Sequence, residues 1–140
     1  MSDAESEDDR LAEIRQQKRE RLREKLDEES ESVGTPDEPI HVGSPTEFQQ
    51  VVGDHEVVLV DFFAEWCGPC KQLEPIVERL AAETDAAVAT VDVDRHQQIA
   101  GQYQVRSMPT LLVFADGEPA ERVVGARGYD QLAGLVGQYT

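Results

Sequence analysis

Residues 56–64 read EVVLVDFFA: after Glu56 comes an almost unbroken run of β-branched and aromatic residues with a single charge, Asp61, inside it. A strand with one face in water alternates between apolar and polar side chains. A strand that is apolar at both parities must be covered on both faces, as the central strand of a sheet is. This run therefore predicts a sheet with packed layers above and below it.

The chain from Pro39 onward supplies elements for such layers. PIHV at 39–42 reads as a short strand, and Ser44 followed by Pro45 caps a short helix over SPTEFQQVV. From Cys67 to Glu83, Leu73, Ile76, Val77 and Leu80 recur at helical spacing, with a kink expected at Pro75. AAVATVDVD is a second buried strand, and RHQQIAGQY a short helix. TLLVFADGEPAERVVG predicts a hairpin turning at Asp116-Gly117. YDQLAGLVGQY closes the chain as an amphipathic helix, weakened by Gly134 and Gly137. The order βαβαβαββα predicts an α/β domain with a central mixed sheet flanked by helices on both faces.

Residues 1–39 differ in character. They hold no aromatic residue and few apolar ones. DDRLAEIRQQKRERLREKLDEE predicts a helix over 9–29, capped by Asp8 or Asp9, with Leu11, Ile14, Leu22 and Leu26 on one face and Lys18 interrupting it. SESVGTPDEP follows as a linker. The expected organisation is an acidic N-terminal extension, 1–39, followed by one domain, 40–140.

The 140 residues carry a net charge of −16. The extension does not account for all of it. Residues 1–39 hold 14 acids and 7 bases, net −7, and residues 40–140 hold 15 acids and 6 bases, net −9. Such a chain repels nucleic acid and anionic membrane surfaces at long range. It suits concentrated salt, where self-repulsion is screened within about 3 Å at 1 M, so a halophilic source is expected. No apolar run is long enough to span a bilayer. The start, MSDAESEDD, lacks the basic and apolar regions of a secretory signal. A cytoplasmic location and no membrane partner are expected.

Cys67 and Cys70, in EWCGPCKQLEP, are the two cysteines of the chain. A bridge between residues so close constrains almost no loop, so a purely bracing disulfide would gain little. Structural zinc needs four ligands, and His41, His55 and His96 lack the usual ligand spacing. No metal is expected. The remaining chemistry is redox. The pair lies where a buried strand gives way to a helix, and the first helical turn presents unpaired N–H groups and a partial positive charge. A Cys67 thiolate is stabilised there and can attack a substrate disulfide, and Cys70, one turn along, can resolve the mixed disulfide. Gly68 leaves space beside the sulfur, and Pro69 lacks an N–H that the first turn could not pair.

VLVDFFAEWCGPCKQLEP closely resembles the thioredoxin family, and VDVDRH, VRSMPTLLVF and VVGA match its later landmarks in order and spacing. The resemblance covers about residues 40–140 and implies the thioredoxin fold. It implies that Cys67 is the nucleophile, Cys70 the resolving thiol and Cys67–Cys70 the redox disulfide. Asp61 falls on the family's buried acid, where desolvation should raise its pKa. Pro109 falls on the family's cis-proline, so that Met108 can pair with an extended client segment. Trp66, Gly125 and Ala126 complete the recognition surface with Gly68 and Pro69. Two positions depart from the pattern. Phe63 stands where the family often has a second tryptophan, and Thr90 where it often has a lysine near the buried acid.

The implied activity is general reduction of protein disulfides, with electrons from a thioredoxin-reductase-type donor, no bound cofactor, and a monomeric protein. Gly-Pro between the cysteines favours a reductant, since family members that oxidise or isomerise usually carry a histidine there. A client-specific reductase steered by the extension is the alternative within this chemistry. A non-catalytic binding or chaperone module is the alternative outside it.

Overall fold

The structure, a computed structural model, describes residues 12–19 and 35–140. The chain divides into two units, Met1–Val33 and Gly34–Thr140. In the first, residues 12–19 form an exposed helix, α1. The remainder of the helix expected over 9–29, and residues 30–34 of the expected linker, lie outside the described residues.

The second unit runs β1 (Ile40–His41), α2 (Pro45–Asp54), β2 (Val57–Phe63), α3 (Gly68–Glu83), β3 (Ala87–Asp92), α4 (Gln97–Gln102), β4 (Thr110–Ala115), β5 (Glu118–Val124) and α5 (Tyr129–Gly137). The expected order holds. The five strands form one sheet in the order β1-β3-β2-β4-β5. β1, β3 and β2 are parallel, whereas β4 runs antiparallel to β2 and β5 to β4. β2 is the centre, and every residue from Val57 to Phe62 is buried.

Local chemistry sets the element ends. Ser44 Oγ accepts from the Glu47 N–H at 3.1 Å, and Pro45 occupies the first turn of α2. Asp116 and Gly117 have φ of 52° and 85°. A two-residue hairpin turn of type I′ needs positive φ at both positions, which aspartate tolerates and glycine adopts freely.

Alternation along the strands divides the core into two layers. Val58, Val60, Phe62, Ala89 and Val91 face α2 and α4, meeting Phe48, Val52 and Ile99. Val57, Leu59, Val88 and Leu111 face α3 and α5, meeting Leu73, Val77, Leu80, Leu132 and Val136. In the first layer Phe48, Phe62, Tyr103 and Phe114 cluster with ring centroids 5.4–6.5 Å apart. Each fully buried side chain of this size contributes roughly 1.5–3 kcal/mol. Across α3 and α5, the Arg79 guanidinium lies 3.7 Å above the Tyr129 ring centroid.

Candidate active site

β2 leaves the sheet at Phe63, and α3 begins a short turn later, at Gly68. Cys67 is its N-cap, extended at φ −88° and ψ 112°. The Cys67 N–H donates to the Ala64 carbonyl at 3.1 Å. The Cys67 sulfur accepts from the Cys70 N–H at 3.3 Å, occupying one of the donors that a first helical turn leaves free. Pro69 follows at the head of the helix and brings no further N–H to satisfy. Cys67 and Cys70 are joined in a disulfide with Cα atoms 5.3 Å apart. Both sulfur-bearing residues are buried, whereas Gly68 and Pro69 between them are exposed.

Trp66 precedes the pair and is 69 % exposed. Its Nε1–H donates to Asp94 Oδ2 at 3.0 Å, and the Asp94 N–H donates to Asp92 Oδ1 at 2.9 Å. The ring is therefore tethered by its polar edge to the loop after β3 while its apolar face meets solvent.

Asp61 shares its parity on β2 with Val57 and Leu59, so it continues the row that faces α3. It is 2 % exposed. Burial pushes its carboxyl up to about 7, and the negative charge of Glu74 adds to the rise. Its Oδ1 atom has no hydrogen-bond partner among the described residues. Asp61 and Cys70 open onto one cleft of about 280 Å³, whose walls include Phe63, Glu74, Thr90 and His41. That space admits several waters, each filling roughly 30 Å³ in the liquid, so a carboxyl and a thiol here can exchange a proton through solvent. His41 Nδ1 lies 2.6 Å from Thr90 Oγ1 on the wall of this cleft.

A second pair of loops completes the neighbourhood. The Met108–Pro109 peptide is cis. Met108 packs against the core layer that contains both cysteines. The Pro109 carbonyl accepts from the Gly125 N–H at 2.8 Å. Gly125 has φ 93°, a backbone conformation that favours glycine; the one near neighbour of a Cβ there, Arg127 Nη1 at 3.1 Å, is the end of a flexible side chain. Val124 is 49 % exposed, and Ala126 is exposed beside Gly125.

The fold thus gathers Asp61, Trp66, Cys67, Gly68, Pro69 and Cys70 on one strand-to-helix passage. It joins Pro109 to Gly125 on a second, with Met108 packed against the core layer that also holds the cysteines. Sequence reasoning missed Glu74 and His41 as walls of the cleft onto which Asp61 opens. Glu74 was findable, because it lies four residues after Cys70 and so on the same helical face. His41 was not, because it reaches the cleft only through strand register.

A CxxC disulfide capping a helix over a mixed sheet, with a buried acid opening onto the same cleft, defines a dithiol–disulfide oxidoreductase. The sequence profile described as Thioredoxin matches residues 39–138. Thioredoxin from Mycobacterium tuberculosis is 50 % identical over 80 residues, which are 56 % of this chain and 69 % of that protein. The structure of a point mutant of thioredoxin from Halobacterium salinarum superposes with a TM-score of 0.74 at 55 % identity, covering 76 % of this chain and 94 % of that one. A bifunctional thioredoxin reductase/thioredoxin from Mycobacterium leprae is 43 % identical over 91 residues, 64 % of this chain and 20 % of that protein. The chain belongs to the thioredoxin family, and Cys67–Cys70 is its redox-active dithiol.

Proposed function

We propose that the protein is a general reductant of client-protein disulfides in which each site residue has a distinct part. Cys67, capping α3, attacks the client disulfide as a thiolate, and one client sulfur leaves. Cys70 gives its proton to Asp61, attacks the Cys67 sulfur and releases the second client thiol. Two electrons pass from the dithiol to the client, and the Cys67–Cys70 disulfide remains. Trp66, Gly68, Pro69, Met108, Pro109, Gly125 and Ala126 form the apolar seat for an extended client segment around the sulfurs. The disulfide beside a buried acid with an orphan oxygen, both on one cleft, is the observation that carries this reading.

The electron donor in this reading is a thioredoxin-reductase-type protein. The M. leprae relative, which unites both names in one chain, supports such a pairing. The setting is the cytoplasm of a halophile, supported by the acidity of residues 40–140. The protein acts as a monomer, organised as an extension, residues 1–39, and a redox domain, residues 40–140. Among the described residues no helix is long and apolar enough to cross a membrane.

The test is the reduction potential of Cys67–Cys70, titrated against dithiothreitol in molar KCl. A value near about −270 mV, that of a thioredoxin, is expected. A value of about −180 mV or above would make the protein an isomerase or oxidant and overturn the reading.

A further inference from the structure

Asp61, Thr90 and His41 stand in one row across three parallel strands. Asp61 is the register partner of Thr90, and Thr90 that of His41. Register partners project to the same face, and neighbouring strands lie about 5 Å apart, so His41 stands about 10 Å from Asp61 along the row. All three residues line the cleft that Cys70 also lines.

The charges of this cleft are one-sided. Its walls hold three carboxyls, Asp61 on β2 and Glu74 and Glu78 on α3. Among the described residues that line it, His41 alone can become a cation. On its other side His41 borders a second cleft with Glu65, Asp92, Arg95 and His96. There Arg95 already lies 3.8 Å from both Glu65 and Asp92. The 2.6 Å contact of His41 Nδ1 with Thr90 Oγ1 fixes the imidazole on the wall between the clefts. A protonated ring donates from both nitrogens, and Thr90 Oγ1 is placed to accept from Nδ1.

We propose that His41, held by Thr90, is a positioning residue for the resolving step: its imidazolium is the counter-charge that lets Asp61 stand as a carboxylate beside Glu74 and accept the Cys70 proton. The proposal rests on the role given to Asp61 above. The Cys70 S–H bond breaks and its proton goes to the Asp61 carboxylate. The Cys70 electron pair forms the bond to Cys67, the Cys67–client S–S bond breaks, and the client leaves as a thiolate that takes a proton from water. Asp61 then returns its proton to solvent through the cleft. His41 makes and breaks no bond. Its positive charge on the cleft wall biases the acceptor towards the carboxylate form.

The experiment uses the reduced full chain and Ellman's reagent. Attack by Cys67 leaves a mixed disulfide with thionitrobenzoate, and resolution by Cys70 releases the coloured thiolate. The rate of this second phase is followed by stopped flow from about pH 5.5 to 9 at a fixed low KCl concentration, bracketing the value of about 7 to which the Asp61 carboxyl is pushed. Removing the charge of His41, which is exposed and about 10 Å from the carboxylate, should slow resolution about 2-fold at pH 6 in dilute KCl and move the midpoint to higher pH, with the profiles converging at the alkaline end. This is the result expected for His41→Gln. His41→Lys, which keeps a charge without the ring, should restore the midpoint, and Thr90→Val should move it in the same direction as His41→Gln. A His41→Gln profile superimposed on the wild type overturns the inference, as does a His41→Lys profile displaced like that of His41→Gln. Asp61→Asn separates the two levels. If it flattens the profile while His41→Gln leaves it in place, the inference fails alone. If it leaves the profile unchanged, the role of Asp61 fails and the inference with it.

Discussion

The two faces of the sheet are built from the same strands with the same alternation, and they end differently. On the face under α2 and α4, Val58, Val60 and Phe62 continue apolar to the end of β2, beside Ala89 and Val91 of β3. On the face under α3, the row begins with Val57 and Leu59 beside Val88, and the next pleat brings Asp61, Thr90 and His41. One face is closed by an aromatic cluster, and the other opens into a cleft at the carboxyl ends of the parallel strands. In open α/β sheets that end is where ligands bind. The difference shows how one strand can serve both stability and chemistry: parity assigns the two tasks to opposite sides of a single backbone.

Breaking the closed face should have the largest effect. Phe62 is fully buried, with its ring centroid 6.5 Å from that of Phe48 and 6.4 Å from that of Tyr103. Phe62→Ala removes its transfer energy and leaves a cavity, so a loss of about 3–5 kcal/mol is expected in denaturant unfolding. The same loss should appear at pH 4 and pH 8, because no titrating group is removed. A loss confined to one pH would show that the two faces are not separable.

The open face should respond in the opposite sense. The Asp61 carboxyl holds its proton up to about pH 7 in the folded chain, against an ordinary value of 3.8. Between those values the folded state binds more protons than the unfolded one, so the contribution of Asp61 to stability falls as pH rises and is fully lost above the folded pKa. The shift sets a ceiling of about 4 kcal/mol. Asp61→Asn removes the titration and keeps a buried polar group, so we expect the variant to be about 2–3 kcal/mol more stable at pH 8 and close to wild type at pH 4. Equal stability of the two proteins across this range would remove the physical basis for a raised Asp61. The gain is the measure of what the fold gives up to keep an acid beside Cys70.

This contrast also separates what was legible in the sequence from what was not. The closed face was legible as elements, because a strand apolar at both parities must be covered on both sides, whereas the meeting of Val58, Val60 and Phe62 with Phe48 and Val52 is set by the tertiary fold. The cysteines and their helix cap were legible for a related reason, since Cys67 to Cys70 is a local arrangement of four residues. Asp61 stood out as the one charge inside the apolar run of EVVLVDFFA. The remainder of the cleft depends on register between strands about 50 residues apart in the chain, His41 against Thr90, which no local period encodes. The proposed seat around Met108, Pro109, Gly125 and Ala126 was visible only through family resemblance. The Gly125–Pro109 hydrogen bond that joins its two loops is tertiary.

The smallest effect tests whether the acids of the open face act on Asp61 through space. Glu74 lies on the exposed side of α3, one turn after Cys70, and its charge is the second cause of the raised Asp61 carboxyl, after burial. Because Glu74 reaches solvent, its field is screened, and desolvation of Asp61 remains when it is removed. Glu74→Gln keeps the size and polarity of the side chain and removes the charge. Asp61 should then ionise at a pH lower by a fraction of a unit, and the resolving step should gain speed only on the acidic side of its profile. Molar KCl should shrink the difference between variant and wild type, whereas the effect of Asp61→Asn, which arises from burial, should persist. A Glu74→Gln profile displaced towards higher pH would reverse the sign of this coupling. It would mean that the carboxylates of the cleft do not repel one another, and that the open face is polar without being electrostatically coupled.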